Sequence, residues 1–248
     1  MSAHSATSLL KGRIALVTGS SSGIGAACAK ILAEHGMQVI MAARRIEKLQ
    51  TLSKQIEAAH PKPEVYQLDV RKEDEILSLF AHIRTIYGRL DLVVNSAGFA
   101  DHTPTTDLSL ARWDDIVATN LTGPFLVSRE ALKLMKPQKR GRIINIGSIS
   151  SMIPRPHSIG YTSTKFGLEG MTRSLALDAR DDGICVSIVH PGSTKTELMP
   201  QMEEKPADIS MQADDVARTV LLMASLPDET NLLEATLLPV RQPFLGRG

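Results

Sequence analysis

Two cysteines in 248 residues are too few for a disulfide framework. Cys28 falls in a predicted helix and Cys185 in a predicted strand; both read as small buried residues, and a reducing compartment suits them. The chain also lacks an excess of either charge, with 28 Lys+Arg against 27 Asp+Glu and a net charge of +1. That balance leaves no electrostatic footprint for nucleic acid or an anionic membrane. No apolar stretch approaches the roughly 20 residues needed to cross a bilayer. Met1–Leu10 is rich in Ser, Ala and His and has no basic start leading into a long apolar run. It reads as a frayed, flexible tail rather than a signal peptide. The seven histidines include no His-x-x-x-His or carboxylate–histidine spacing suited to a metal. Internal repeats and low-complexity tracts are missing as well. These absences predict a soluble, cytoplasmic protein with no metal centre, nucleic acid or membrane partner.

What remains is globular. Hydrophobic residues make up 43% and charged residues 22%, and the length suffices for one domain, 11–248, with a substantial core. Short β-branched or apolar runs alternate with helical patterns throughout. Strands are predicted at Ile14–Val17, Val39–Ala42, Val65–Leu68, Leu90–Asn95, Arg142–Ile146, Cys185–Val189 and Ala235–Leu238. Helices are predicted at Ile24–His35, Glu47–Ala59, Glu73–Tyr87, Trp113–Met135 (despite Pro124), Tyr161–Asp181 and Asp214–Ala224. Continuous apolar strands interleaved with helices imply an α/β fold whose parallel sheet is covered on both faces. Right-handed crossovers make it doubly wound, with ligand at the carboxyl ends of the strands. Pro200–Ile209, polar and weakly periodic, is the best candidate for a mobile loop.

Two motifs carry chemistry. Tyr161 and Lys165, in Tyr-Thr-Ser-Thr-Lys, sit at i, i+4 and project from one helix face. An ammonium beside a phenol favours the phenolate and lowers its pKa from about 10, which would make the tyrosine a general acid or base. Upstream, Thr18-Gly19-Ser20-Ser21-Ser22-Gly23-Ile24-Gly25 joins the first strand to the first helix. Such glycines permit a tight turn and let backbone N–H groups meet a pyrophosphate at the helix N-terminus. The blander alternative is a Ser/Gly loop that merely caps the helix.

The spacing Thr-Gly-x-x-x-Gly-x-Gly, with the Tyr-x-x-x-Lys pair, resembles the short-chain dehydrogenase/reductase family and its three-layer Rossmann fold. The resemblance runs from Arg13 to about Val240. It implies dinucleotide contacts at Gly19, Ser21, Ser22, Gly23, Ile24 and Gly25, with Asp69-Val70 set against the adenine. Asn95-Ser96-Ala97-Gly98 matches the family's Asn-Asn-Ala-Gly, Ser96 being a departure, so Asn95, Ala97 and Gly98 join the expected contacts. Pro191-Gly192, with Thr194 and Thr196, matches the segment that holds the nicotinamide carboxamide. The family's catalytic set maps to Asn120, Ser148, Tyr161 and Lys165. Ser148, thirteen residues before Tyr161, is preferred over Ser150 and Ser151. The implied reaction is reversible hydride transfer to a carbonyl or from a secondary alcohol of a small metabolite. In it Tyr161 handles the proton, Ser148 bonds the same oxygen, Lys165 also holds the nicotinamide ribose, and Asn120 anchors a water. Two long helices, around Phe125 and after Tyr161, pack across a two-fold in the family, implying a homodimer or homotetramer.

At the end of the second strand, NAD-preferring members carry an acid; here Ala43 is followed by Arg44 and Arg45. A guanidinium can bind a 2′-phosphate bidentately, so NADP(H) is expected, Arg44 ahead of Arg45, with NAD(H) possible. Ser22 stands where many NADP-binding members place a second basic residue. The substrate wall is expected from Phe99, Met152, Arg155, His157 and Glu197–Met202; Arg155 or His157 facing inward would favour a substrate with a carboxylate or phosphate, but both are read first as solvent-facing rim residues. The C-terminal stretch Leu237–Gln242 lacks the Gly-Gly of many ketoacyl-carrier-protein reductases and resembles the branch with 3-hydroxy acid and serine dehydrogenases. A dinucleotide-sensing binding protein that lost catalysis is the alternative from another class.

Overall fold

The computed structural model describes residues 9–57, 60–197 and 203–244. Seven strands, β1 (Ile14–Thr18), β2 (Gln38–Ala43), β3 (Glu64–Gln67), β4 (Leu92–Asn95), β5 (Gly141–Ile146), β6 (Ile184–Pro191) and β7 (Glu234–Leu237), form one sheet. Its order is β3-β2-β1-β4-β5-β6-β7, and every neighbouring pair is parallel. This is the doubly wound Rossmann architecture. The chain winds one way from β1 to β3 and the other way from β4 onward, so a crevice opens between β1 and β4 at their carboxyl ends.

Side chains alternate between the faces of a strand, and here both faces are apolar. On one face Ala15, Val17, Val39, Met41, Val94 and Ile144 pack against α1 (Gly23–Glu34), α2 (Ile46–Glu57) and, further along the chain, α7 (Ala213–Ser225). On the other, Ile14, Leu16, Ile40, Val93, Ile143 and Val186 meet α3 (Glu73–Tyr87), α5 (Gly123–Gln138) and the end of α6 (Ile159–Ala179). Helix α3 shows how its ends are specified: Glu73, Asp74 and Glu75 meet the positive N-terminus, and Gly88 at φ 63° closes it. Cys28 and Cys185 are free and buried. Among the described residues no helix is long and apolar enough to cross a membrane.

The helix expected over Trp113–Met135 is in fact three pieces: α4 (Leu110–Val117), a π-helical turn Ala118–Thr122, and α5. The break has a simple cause. In an α-helix the N–H of residue 124 would bond the carbonyl of Asn120, and Pro124 has no N–H. The chain widens by one residue there, and Asn120 sits at the middle of the widened turn. Leu10, assigned to the flexible tail, is only 1% exposed and packs into the core beside Ala33 and Met37. The expected loop Pro200–Ile209 lies partly outside the described residues. Two residues past its far end, Met211 bridges to the segment that follows β6: Met211 N donates to Ser193 O at 2.9 Å, and Lys195 N to Met211 O at 2.8 Å.

Candidate active site

A cavity of about 260 Å³ fills the crevice at the carboxyl ends of β1 and β4. At its floor the β1–α1 turn is bare backbone. Gly19 has φ +69°, and a Cβ there would lie 2.6 Å from the Cα and N of Ala97. A Cβ on Gly25 would lie 2.5 Å from the Gly19 carbonyl oxygen, so no side chain fits beneath the turn. Ser22 is the N-cap residue of α1 but makes no capping bond; its hydroxyl accepts from Arg45 Nη2 at 2.7 Å. The first N–H groups of α1 are therefore left without a side-chain cap at the cavity, and the Ser/Gly turn does not simply cap its own helix. Gly23, Ile24, Arg44, Arg45, Asp69 and Val70 complete this end. The Asp69 carboxyl is held below the usual carboxylate range, first by hydrogen bonding from Arg71 and further by the charges of Arg71 and Arg44.

At the other end, Ser148, Tyr161 and Lys165 face the same cavity. Ser148 caps the 3-10 turn Ile149–Ser151, its Oγ accepting from Ser150 N at 3.0 Å. Ser151 points away, donating to the Ser148 carbonyl at 2.5 Å. Tyr161 and Lys165 stand on the first turns of α6. Lys165 is 6% exposed; its Nζ donates to Ile146 O at 2.7 Å and lies 5.5 Å from the Tyr161 ring centroid. Burial pushes the lysine down to about 8. The phenol of Tyr161 is raised above 10, because burial outweighs the opposing hydrogen bond from Ser148 and the charge of Arg155. The expected lowering of the phenol pKa by Lys165 is therefore not what this geometry produces. The ammonium is directed at a carbonyl, and both groups lose more by leaving water than they exchange with each other.

The model of the short chain dehydrogenase family matches residues 13–207, across the turn, strands β1 to β6 and all three of these side chains. The chain belongs to this family. An uncharacterized oxidoreductase of Staphylococcus aureus (strain MRSA252) is 33% identical over 233 residues, covering 94% of this chain and 99% of that protein. A metagenomic short-chain oxidoreductase solved in complex with NADP is 34% identical, with a TM-score of 0.81 over 92% of this chain and 99% of its own. An actinorhodin polyketide ketoreductase with NADPH is 30% identical, with a TM-score of 0.84 over 92% and 96%. The chain is thus a short-chain dehydrogenase-type oxidoreductase.

Most residues expected from the family pattern line the cavity, including Ser21, Ala97, Gly98, Pro191, Gly192, Thr194 and Thr196. Three stand behind it. Gly25 lies under the turn. The Asn95 amide donates to Ser128 Oγ at 3.1 Å and Asn145 Oδ1 at 2.9 Å, tying β4 to α5 and β5. The Asn120 side chain is spent on Phe99, donating to its O at 2.9 Å and accepting from its N at 3.0 Å, and on Thr164 at 3.3 Å. Of the expected substrate wall, Phe99, Arg155 and Glu197 line the cavity, whereas Met152 and His157 do not; Leu198–Met202 lie outside the described residues. Arg155 thus faces the cavity rather than only solvent. It is held by Ser158, whose Oγ donates to the Arg155 carbonyl at 2.6 Å. Sequence reasoning missed His102 and Thr119 in the lining. It also missed Gln242, whose Oε1 accepts from Ser193 N at 2.8 Å and fixes the Pro191-Gly192 turn. No motif marks these positions; only the fold brings them together.

Proposed function

We propose that this chain is an NADP(H)-dependent oxidoreductase that interconverts a carbonyl and a secondary alcohol on a small metabolite. The observation that carries the reading is that Ser148, Tyr161 and Lys165 share one cavity with the bare glycine turn. The uncapped start of α1 and the absence of any side chain on the floor suit a dinucleotide diphosphate. Arg44 and Arg45 at the cavity, with Ala43 in place of an acid, suit a 2′-phosphate. The NADP and NADPH bound by the two solved relatives support the same choice.

When bound, the nicotinamide supplies or takes up the hydride. Tyr161 gives its phenolic proton to the carbonyl oxygen during reduction and takes one during oxidation. Because Ser148 Oγ already accepts a backbone N–H, its own proton is available to the same oxygen, where it stabilises developing charge. Lys165 spends one proton on Ile146 O and keeps two donors, one for a ribose hydroxyl and one for the path that resupplies Tyr161. Asn120 serves that path through its main-chain carbonyl, which Pro124 cannot bond, since its side chain is fully engaged. Arg155 at the cavity favours a substrate bearing a carboxylate or phosphate. The exposed Phe125 and Phe166, on α5 and α6, are our choice for a face between subunits of a homodimer or homotetramer.

NADPH oxidation against aldehydes, diketones and keto acids tests the reading, with keto acids expected to be turned over best. If NADPH binds, no carbonyl is reduced and Tyr161→Phe alters nothing, a dinucleotide-sensing protein replaces the enzyme. The cofactor is tested by the NADPH/NADH ratio of kcat/KM. Arg44→Ala should weaken NADPH roughly tenfold to a hundredfold, a charge-assisted bond contributing about 1.5–3 kcal/mol, and NADH far less. Ala43→Asp should move preference towards NADH. A wild-type ratio favouring NADH, or one untouched by Arg44→Ala, ends the NADP assignment.

A further inference from the structure

Between the end of β2 and the glycine turn lies an anion site that the chain fills itself. The Arg45 guanidinium donates to Ser21 Oγ from Nε and Nη2 at 3.2 and 3.0 Å, and to Ser22 Oγ from Nη2 at 2.7 Å. Its Nη1 donates to Glu197 Oε2 at 2.7 Å. Lys48, on the first turn of α2, donates to the other Glu197 oxygen. Two cations thus converge on one carboxylate, 152 residues along the chain from Arg45, beside two hydroxyls. Lys48 and Arg45 together hold that carboxyl down at about 2, so it stays ionised at any working pH. The pairing is half-exposed, with 52% of the Glu197 side chain accessible, so it is weak enough to exchange. Glu197 follows Thr196, whose side chain already lies against Gly23: a Cβ on that glycine would be 3.2 Å away. The acid therefore reaches the adenosine end from the far side of the cavity.

We propose that Glu197 determines cofactor specificity: its carboxylate stands where the 2′-phosphate of NADP(H) binds, and the phosphate displaces it. The inference rests on the reading of Arg44 and Arg45 given above. A phosphate monoester brings about −1.5 to −2 of charge and three acceptor oxygens, against one charge and two oxygens for the carboxylate, so exchange favours the phosphate. NADH brings nothing to the site, and Glu197 keeps its partners. The carboxylate thus lowers affinity for the phosphorylated cofactor alone.

Dissociation constants of NADPH and NADH, measured by fluorescence titration of wild type, E197Q and E197A, test the proposal. Adenosine 2′,5′-bisphosphate and adenosine 5′-monophosphate serve as fragment probes. Both variants should bind NADPH and the bisphosphate roughly three- to tenfold more tightly, the scale of an exposed double ion pair. NADH and the monophosphate should change by less than about twofold on the same scale. Unchanged or weaker NADPH and bisphosphate binding overturns the proposal, as does equal tightening of NADH. The cofactor reading is judged separately, on the wild-type ratio. If wild type prefers NADH, that reading falls, while the two adenosine fragments still report whether Glu197 competes with a 2′-phosphate.

Discussion

The two ends of the cavity are built from different materials. The floor of the adenosine end is backbone: a glycine turn, an uncapped helix start and strand ends whose shape depends on the absence of side chains. The substrate end is side chains, namely Phe99, His102, Ser148, Arg155, Tyr161 and Lys165, carried on α6, a 3-10 turn and loops. Backbone shape is set by local sequence, because few residues can adopt it. Side-chain positions depend on what the rest of the fold places opposite them. The glycine floor is therefore generic to a dinucleotide, whereas the substrate end, like the Arg45–Glu197 pairing above that floor, is particular to this chain.

The two ends differ most at Tyr161, which acts on the reacting oxygen and not on the dinucleotide diphosphate. Tyr161→Phe keeps the ring and its packing but removes the proton donor, and a positioned acid contributes on the order of 10²–10⁴ in rate. Turnover should fall by that factor while NADPH binding, measured by fluorescence, holds. Near wild-type turnover would remove Tyr161 from the chemistry. Lys165 adds a pH-dependent term on the same end. Its folded pKa of about 8 lies below its ordinary 10.5, so the folded state carries the cost of a buried charge at pH 7. Between those two values the unfolded chain binds more protons than the folded one, and stability rises with pH. Subtracting the unfolding free energy of Lys165→Met from that of the cofactor-free wild type should give a difference that grows by about 3 kcal/mol from pH 7 to 10.5. A flat difference would mean that the Ile146 carbonyl offsets burial and the lysine stays charged.

The adenosine end is tested by adding what it excludes. Gly19→Ala places a methyl 2.6 Å from the Ala97 backbone at φ +69°, so the turn must shift. A loss of about 1–3 kcal/mol in unfolding free energy is expected, with dinucleotide binding lost alongside. Stability and binding both unchanged would show that the floor is not closed by backbone.

The same division decides what the sequence reveals. The strands, their helices and the glycine turn are legible because apolar continuity and glycine spacing are local. So are Tyr161 and Lys165, whose i, i+4 spacing fixes a common face. The π-helical turn at Asn120 carries a local signal, Pro124 four residues on, but a proline at the start of a helix is tolerated too, and the apolar period of Trp113–Met135 conceals the break. Nothing local pairs Arg45 with Glu197 or Gln242 with Ser193, since the contacts join residues 152 and 49 positions apart. Nor does spacing predict that Lys165 itself is pushed down, because that follows from burial rather than from Tyr161.

The smallest expected effect sharpens the substrate end. Arg155 lines the cavity from an irregular segment, and its charge reaches Tyr161, where it opposes the effect of burial. It is also exposed, so water screens much of its pull on a substrate carboxylate. Arg155→Ala should therefore raise KM for a keto acid by roughly threefold to tenfold, an exposed ion pair being worth up to about 1 kcal/mol and slightly more with a hydrogen bond. The KM for an uncharged diketone should hold, and kcat should change little for either. Added salt should weaken the wild-type preference for the acid and leave the variant unaffected, since screening acts only where the guanidinium is present. Equal KM changes for acid and diketone would show that Arg155 shapes the mouth of the cavity without reading charge, and the anionic substrate class would fall with it.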